Sequence, residues 1–296
     1  MNKTLVLFTD FFPYGNGETF LETEIVYLAR EFERVIVCPR KVAKKKRNVP
    51  DNVEVVDIFG SSRNSGRLRL YLMGLVFILL NIKRLLELSY FSHFHIPGYI
   101  KSVKYTGLAA AIKRDIAVFF QKSNFDFSAT VFHTYWLAYE TFALGLIKQQ
   151  NKLLKLVSRV HRFDLYDERG EKSLTFIKPL NLILPDRVYS ISQHGRKYLI
   201  ENYPHAKSKI ITSYLGTTEP DFQVEPTAND TFRIVSCSGL RPVKRLDRII
   251  DMLFHLAILK PTANVEWHHL GDGPLRDELE SLAQEKLKGK IECHFH

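Results

Sequence analysis

The sequence predicts an α/β protein built from two parallel-sheet units, a full one followed by an incomplete one. Three observations carry this. Short apolar runs alternate with segments of helical period along most of the 296 residues. From residue 216 the composition turns to Gly, Pro and Thr with few large apolar groups, and the alternation then restarts. The order β-α-β in both halves implies parallel strands joined by right-handed crossovers. The expected division is residues 1–215, a hinge at 216–231 and a second unit at 232–296.

Thr4–Phe8 reads as the first strand. Glu18–Phe32 reads as a helix, because Phe20, Leu21, Ile25, Leu28, Ala29 and Phe32 recur on one face. Arg34–Cys38 and Val53–Ile58 are the next strands. Ala129–Phe132 and Leu153–Val160 are strands either side of a helix at Trp136–Gln149. Arg187–Ser190 is a short strand, His194–Tyr203 a helix stopped at Pro204, and Ile210–Ser213 a further strand. The hinge holds Gly216, Thr217, Thr218, Pro220, Pro226 and Thr227. Beyond it come strand Phe232–Cys237, helix Leu246–Leu259, strand Asn264–Leu270, helix Leu275–Leu287 and strand Lys290–His296. Three strands and two helices leave a sheet edge unpaired, so the second unit is expected to be the first half of a larger domain.

Leu70–Ile82 is thirteen nearly unbroken apolar residues, preceded by Arg63, Arg67 and Arg69 and followed by Lys83 and Arg84. A bilayer span needs about 20 apolar residues. Two readings stand: a helix buried in the core, or one lying at an anionic membrane surface with a basic collar. Phe91, Phe94, Ile96 and Tyr99 extend the apolar character, and Lys101 and Lys104 the basic one.

Forty-two Lys and Arg against thirty-two Asp and Glu give a formal net charge of +10. That balance favours an anionic partner. Lys41–Arg47 is the one dense basic cluster, and by itself it reads as a solvated loop. No nucleic-acid-binding motif accompanies it, so nucleic acid is not an expected partner. Cys38, Cys237 and Cys293 lack CxxC spacing, which argues against a disulfide framework or a zinc site. The first apolar run is too short for a signal peptide and is closed by Asp10, so a cytoplasmic chain is expected.

The candidate site residues cluster at strand ends, where doubly wound sheets bind their ligands. Gly239–Asp247 (GLRPVKRLD) joins a strand to a helix N-terminus and carries Arg241 and Lys244. Helix N-termini attract anions, and two added cations suit a diphosphate. Gly271-Asp272-Gly273-Pro274 lies at the same rim of that unit, with Pro274 expected to start a helix. In the first unit the corresponding loop is Phe11–Phe20, with Gly15 and Gly17 permitting close backbone approach and Glu18 favouring the helix dipole. It is not GxGxxG, which argues against a dinucleotide-binding oxidoreductase. His161, Arg162 and Asp164 follow another strand, and His133 occupies an analogous strand end. No two-His-one-carboxylate pattern at helix spacing appears, so no metal site is expected.

Taken in order, these pieces resemble a retaining nucleotide-sugar glycosyltransferase of the two-Rossmann (GT-B) type. More narrowly they resemble family 4, in the branch that builds bacterial surface polysaccharides such as capsule and lipopolysaccharide. The matching stretches are Phe12-Pro13…Gly17-Glu18-Thr19-Phe20, Ser158–Tyr166, Ser190-Ile191-Ser192, Leu215-Gly216, the GLRPVKRLD loop and Leu270–Leu275. The resemblance implies a hexosyltransferase with an acceptor-binding first domain and a donor-binding second one, and no cofactor. Arg241 and Lys244 would hold the diphosphate of a UDP- or GDP-sugar, with Gly17 approaching the same phosphates. His161 would lie beside the transferred sugar as the catalytic residue. Glu18, Thr19, His133 and Asp164 would contact sugar or acceptor, and Gly271 and Gly273 would shape the donor-domain loop. The acceptor would be a glycan, expected to be polyprenyl-linked and met at the inner membrane surface. The family's acidic Glu-x7-Glu segment has no counterpart after Leu287, so a chain of this extent is expected to transfer sugar poorly on its own. The alternative is a non-catalytic nucleotide- or membrane-binding partner subunit of an intact transferase.

Overall fold

The computed structural model describes residues 3–80, 97–167, 172–223 and 231–296. The chain divides into two compact units, Met1–Glu219 and Pro220–His296. Unit 1 is built on seven strands: β1 Thr4–Thr9, β2 Arg34–Pro39, β3 Val53–Val55, β4 Thr130–Thr134, β5 Lys155–Val160, β6 Arg187–Ser190 and β7 Ile210–Thr212. They pair in the order β3-β2-β1-β4-β5-β6-β7, each pair parallel. Chain order reverses between β1 and β4, and such a reversal opens a crevice at the carboxyl ends of the two strands.

Alternation along β1 divides the core. Leu5 and Leu7 pack with Val35, Val37, Leu21 and Ile25 beneath helix α1 (Phe20–Glu31). Val6 and Phe8 face the other way and join Ile36, Cys38 and Phe132. That second face is covered by α4 (Pro97–Lys122), α5 (Tyr139–Gln150) and α7 (Lys172–Ile183). Burial on both faces explains why β1 and β2 read as continuous apolar runs. Two short helices, α2 (Gly60–Arg63) and α6 (Arg162–Leu165), sit between these elements. Helix α8 (Gln193–Asn202) is capped by Ser192, whose hydroxyl accepts the Gly195 N–H.

Strand and helix ends differ from the expected ones by a few residues, and two differences have a local cause. Helix α1 starts at Phe20 rather than Glu18, because Glu18 takes a left-handed conformation (φ 54°). Helix α5 starts at Tyr139 rather than Trp136, because side chains from elsewhere hold Trp136 and the Leu137 N–H in a loop. Besides the one-turn helices α2 and α6, two long helices escaped the periodicity reading. α4 buries small residues, Ala109 and Ala111 beside Ile112 and Ile116, so no bulky stripe marks it. α7 contains Pro179, a residue that reads as a breaker.

The apolar stretch forms α3 (Arg67–Leu80). It crosses α4 at contact distance: a Cβ built on Gly74 would lie 1.8 Å from the Val103 carbonyl oxygen, and one on Gly107 1.8 Å from that of Leu70. Leu70 and Gly74 are buried there, while Leu68, Leu72, Leu75, Val76, Leu79 and Leu80 stay exposed. So α3 is neither fully buried nor free of the core. Among the described residues no helix is long and apolar enough to cross a membrane. Asn81 to Ile96, with Ile82, Lys83, Arg84, Phe91 and Phe94, lie outside the described residues, as do Pro226 and Thr227 of the expected hinge.

Unit 2 has three parallel strands in the order β10-β9-β8, with β8 Thr231–Cys237, β9 Asn264–Leu270 and β10 Glu292–Phe295. Helices α9 (Leu246–Leu259) and α10 (Arg276–Leu287) bury Leu246, Ile250, Leu253, Leu279, Ala283 and Leu287 around Trp267. Pro274 lies in the turn before α10 and does not start it.

Candidate functional site

In unit 1 the loop after β1 is fastened from both sides. The buried Glu18 carboxylate accepts the backbone N–H groups of Asp10 (3.0 Å), Phe11 (2.7 Å) and Phe12 (2.6 Å), and the Trp136 indole N–H (2.5 Å). Four donors fill its acceptor positions. Glu18 therefore holds the loop, and its left-handed backbone lets the side chain turn back to do so. On the outer side Arg47 donates to the carbonyl oxygens of Gly17 (2.5 Å) and Pro13 (3.3 Å) and pairs with Glu22 (2.5 Å). This corrects the reading of Lys41–Arg47 as merely solvated, since Arg47 is tucked against the loop while Lys44 and Lys45 are exposed. With those carbonyls engaged, the N–H groups of Asn16, Gly17, Thr19 and Phe20 have no acceptor among the described residues. They lie at the positive end of α1. Thr19 is exposed, and its hydroxyl makes no cap hydrogen bond.

His161 lies under this loop. Its ring stacks on Phe20 (5.6 Å between centroids) and meets Tyr135 (5.0 Å) and Trp136 (4.5 Å). It is buried, and neither ring nitrogen has a partner. Burial, helped by the Arg159 charge, pushes its pKa down to about 3, so the ring is neutral at pH 7. His133 on β4 is likewise buried, with Nε2 unpartnered and its pKa lowered to about 3 by burial and then by Arg159. Arg159 donates to Glu24 (2.8 Å) and to the Tyr135 hydroxyl (3.2 Å), and Tyr135 donates to Glu24 (2.5 Å).

Asp164 accepts the N–H groups of His161 (2.6 Å) and Leu137 (2.7 Å). Burial nevertheless raises its pKa to about 7. The carboxyl thereby ties β5's exit to the loop after β4. It also borders a recess of about 530 Å3, whose lining includes Asp10, Arg40, Lys41, Trp136, Tyr139 and Phe163. Sequence reasoning missed Arg40, Lys41, Trp136 and Arg159. Arg40 and Lys41 follow β2 directly, so the strand-end rule that selected His161 would have found them as well.

In unit 2 the expected loops come together. The Leu240 N–H donates to the Asp272 carbonyl (3.0 Å), and the Leu275 N–H to that of Leu240 (3.2 Å). A Cβ on Gly271 (φ 136°) would lie 2.2 Å from the Ser238 carbonyl oxygen, and one on Gly273 2.5 Å from that of Leu240. Both positions need glycine for backbone to lie on backbone. Arg241 precedes the short 3-10 turn Pro242–Lys244 and Lys244 ends it, both exposed, with no side-chain partner among the described residues. Arg245 differs: its guanidinium is held by Asp247 (3.0 and 2.7 Å). The loop thus offers two uncommitted cations beside the N-terminus of α9.

No protein-family profile matches the chain, and no curated protein sequence matches it. Solved structures do. Trehalose-6-phosphate synthase OtsA aligns over 99% of this chain and 74% of its own, with TM-score 0.60 and 10% identity. Anabaena Alr3699/HepE in complex with UDP aligns over 99% and 69%, with TM-score 0.56 and 16% identity. The N-terminal domain of Candida albicans trehalose-6-phosphate phosphatase aligns over 99% and 72%, with TM-score 0.56 and 12% identity. Against S. aureus TarM, at TM-score 0.44 and 14% identity, the alignment takes in 64% of this chain and only 36% of TarM. What OtsA and HepE share with this chain, at such identities, is architecture: its two Rossmann-like units have the folds of GT-B structures.

Proposed function

We propose that the chain is a nucleotide-sugar-dependent glycosyltransferase, of the retaining family 4 kind, acting as a hexosyltransferase in bacterial surface-polysaccharide synthesis. The observation that carries this is the pair Arg241 and Lys244, exposed and uncommitted on a glycine-shaped loop at the carboxyl end of β8. Two free cations beside a helix N-terminus are what a diphosphate needs. Their charge would stabilise the nucleoside diphosphate of a UDP- or GDP-sugar as it leaves. That HepE has been solved with UDP and with UDP-glucose supports this donor class.

In this reading the Gly17 loop serves a phosphate, a role supported by its free N–H groups. His161 is assigned to the transferred sugar, where a neutral imidazole can donate and accept a hydrogen bond together. Thr19 and Asp164 serve the sugar or acceptor, while Glu18 and His133 act by positioning. The exposed apolar side of α3, with Arg67 and Arg69 at its start, supports peripheral binding to an anionic inner leaflet, where a polyprenyl-linked glycan would be met.

Calorimetric titration with UDP and GDP tests the core of the proposal. At least one nucleotide binds, and Arg241→Ala or Lys244→Ala weakens it about tenfold each. Binding unchanged in both variants, or no binding at all, rejects the donor site.

A further inference from the structure

The outer edge of unit 1 carries a second recess, of about 780 Å3. β7 ends the sheet, and among the described residues no strand pairs with its far side. The Ser213 N–H donates back to Ser190 (2.8 Å), so the Thr212 N–H points the other way, out of the edge. One flank of α8 runs beside that edge, where Gln193, Arg196, Lys197 and Ile200 recur at helical spacing and line the recess. Arg196 donates through Nε to the Ile210 carbonyl (3.1 Å) and blunts the edge at that point. Ile211, 41% exposed, lines the recess with Ile200.

The charge of this recess is unbalanced. Arg196, Lys197 and Lys207 line it against Glu201 alone, and the Lys197–Glu201 pair is long (3.8 Å) and well exposed, too weak to hold either side chain. Arg196 and Lys207 take part in no ion pair among the described residues. The complementary charge lies a few residues on in the same chain. From Ser213 to Gln223 the sequence holds Glu219 and Asp221 and no Lys, Arg or His. Both acids are exposed, and neither is in an ion pair among the described residues. Next to them Phe222 stands 66% exposed. An aromatic ring left in water has a cost, and Ile200 and Ile211 ringed by cations offer this one a seat. The chain leaves β7 at its carboxyl end, whereas the recess runs back along β7 and α8, so a copy's own segment reaches it only by reversing across the stiff Pro220. The same segment of a second copy needs no such reversal.

We propose that the chain forms a symmetric, salt-sensitive dimer in which each copy's Glu219–Phe222 segment lies in the other copy's recess between α8 and β7. One pair of complementary surfaces is then used twice, which closes the assembly at two copies. The inference stands apart from the glycosyltransferase reading, because no residue of the Arg241 loop or around His161 enters it.

Sedimentation equilibrium on the full chain tests it, across the micromolar range at low and high salt. A monomer–dimer equilibrium is expected, weaker at high salt. Lys197→Glu with Lys207→Glu, and separately Glu219→Lys with Asp221→Lys, each weaken it at least about tenfold. All four side chains are exposed, so the melting curves stay unchanged. Mixed in equal amounts, the two variants associate again as a heterodimer, since the acidic recess then meets the basic segment and the basic recess the acidic one. A chain that stays monomeric, a dimer indifferent to either variant, or variants that do not associate on mixing overturns the proposal.

Discussion

Glu18 and Trp136 are joined by a 2.5 Å hydrogen bond from the indole N–H to the carboxylate, across 118 positions of sequence. The bond ties the loop after β1 to the loop after β4, the two sides of the sheet's switch point. The same carboxylate gathers three consecutive backbone N–H groups. One side chain therefore sets the shape of the rim on which the proposed acceptor side depends.

Glu18→Gln leaves at least one buried donor facing an NH2 group. A loss of about 2–4 kcal/mol is expected, read by urea unfolding. Glu18→Gly relaxes the left-handed backbone yet lowers stability as well, because the carboxylate matters more than the φ angle. A Gly variant as stable as the parent would refute the anchoring role.

Acid stability follows from three buried groups. His133 and His161 titrate near 3 in the fold against 6.5 when unfolded, so their contribution is full above 6.5 and is lost as pH falls towards 3. Asp164 titrates near 7 in the fold against 3.8, so its contribution is full below 3.8 and is lost as pH rises through 7. Between pH 7 and 4 the unfolded chain gains two imidazole protons and the fold one carboxyl proton, a net loss of roughly 3 kcal/mol. Unfolding curves across that range should show His161→Gln flattening the dependence and Asp164→Asn steepening it. The reverse order would contradict the assignment.

The crossing of α3 and α4 tolerates no side chain at its centre. Gly74→Leu or Gly107→Val drives carbon into a backbone carbonyl and costs about 3 kcal/mol or more, with melting temperature as the measure. Leu79→Ser, on the exposed side of the same helix, changes stability by less than about 0.5 kcal/mol. It should, however, reduce cosedimentation with anionic liposomes. Equal binding of parent and variant, or of anionic and neutral vesicles, would count against the membrane proposal.

Gly271→Ala tests the donor loop without touching a cation. At φ 136°, with the Ser238 carbonyl 2.2 Å from the new Cβ, the loop must move. Nucleotide affinity should fall at least about fivefold, together with about 2 kcal/mol of stability. Gly216→Ala, where a Cβ meets nothing within 4 Å, should leave both unchanged.

The sequence by itself determined the alternation of strands and helices, the parallel topology it implies, and the rim where ligand-binding residues gather. Those follow from local periodicity and from the handedness of crossovers, both written in short stretches of chain. It also placed Arg241, Lys244, Gly271 and Gly273 at one rim, because two strand ends of one sheet must lie side by side. Tertiary structure alone decided what each polar group is committed to. Glu18 looked like a helix-start acid available to a sugar, and its carboxylate is spent on Asp10, Phe11, Phe12 and Trp136. Arg47 looked like one more solvated cation, and it pins the Gly17 carbonyl. Arg40 and Lys41 are balanced by Asp10 and Glu140, whereas Arg241 and Lys244 are not. Hydrogen bonds and ion pairs between residues far apart in the chain leave no periodic trace, and only folding reveals which charges remain uncommitted.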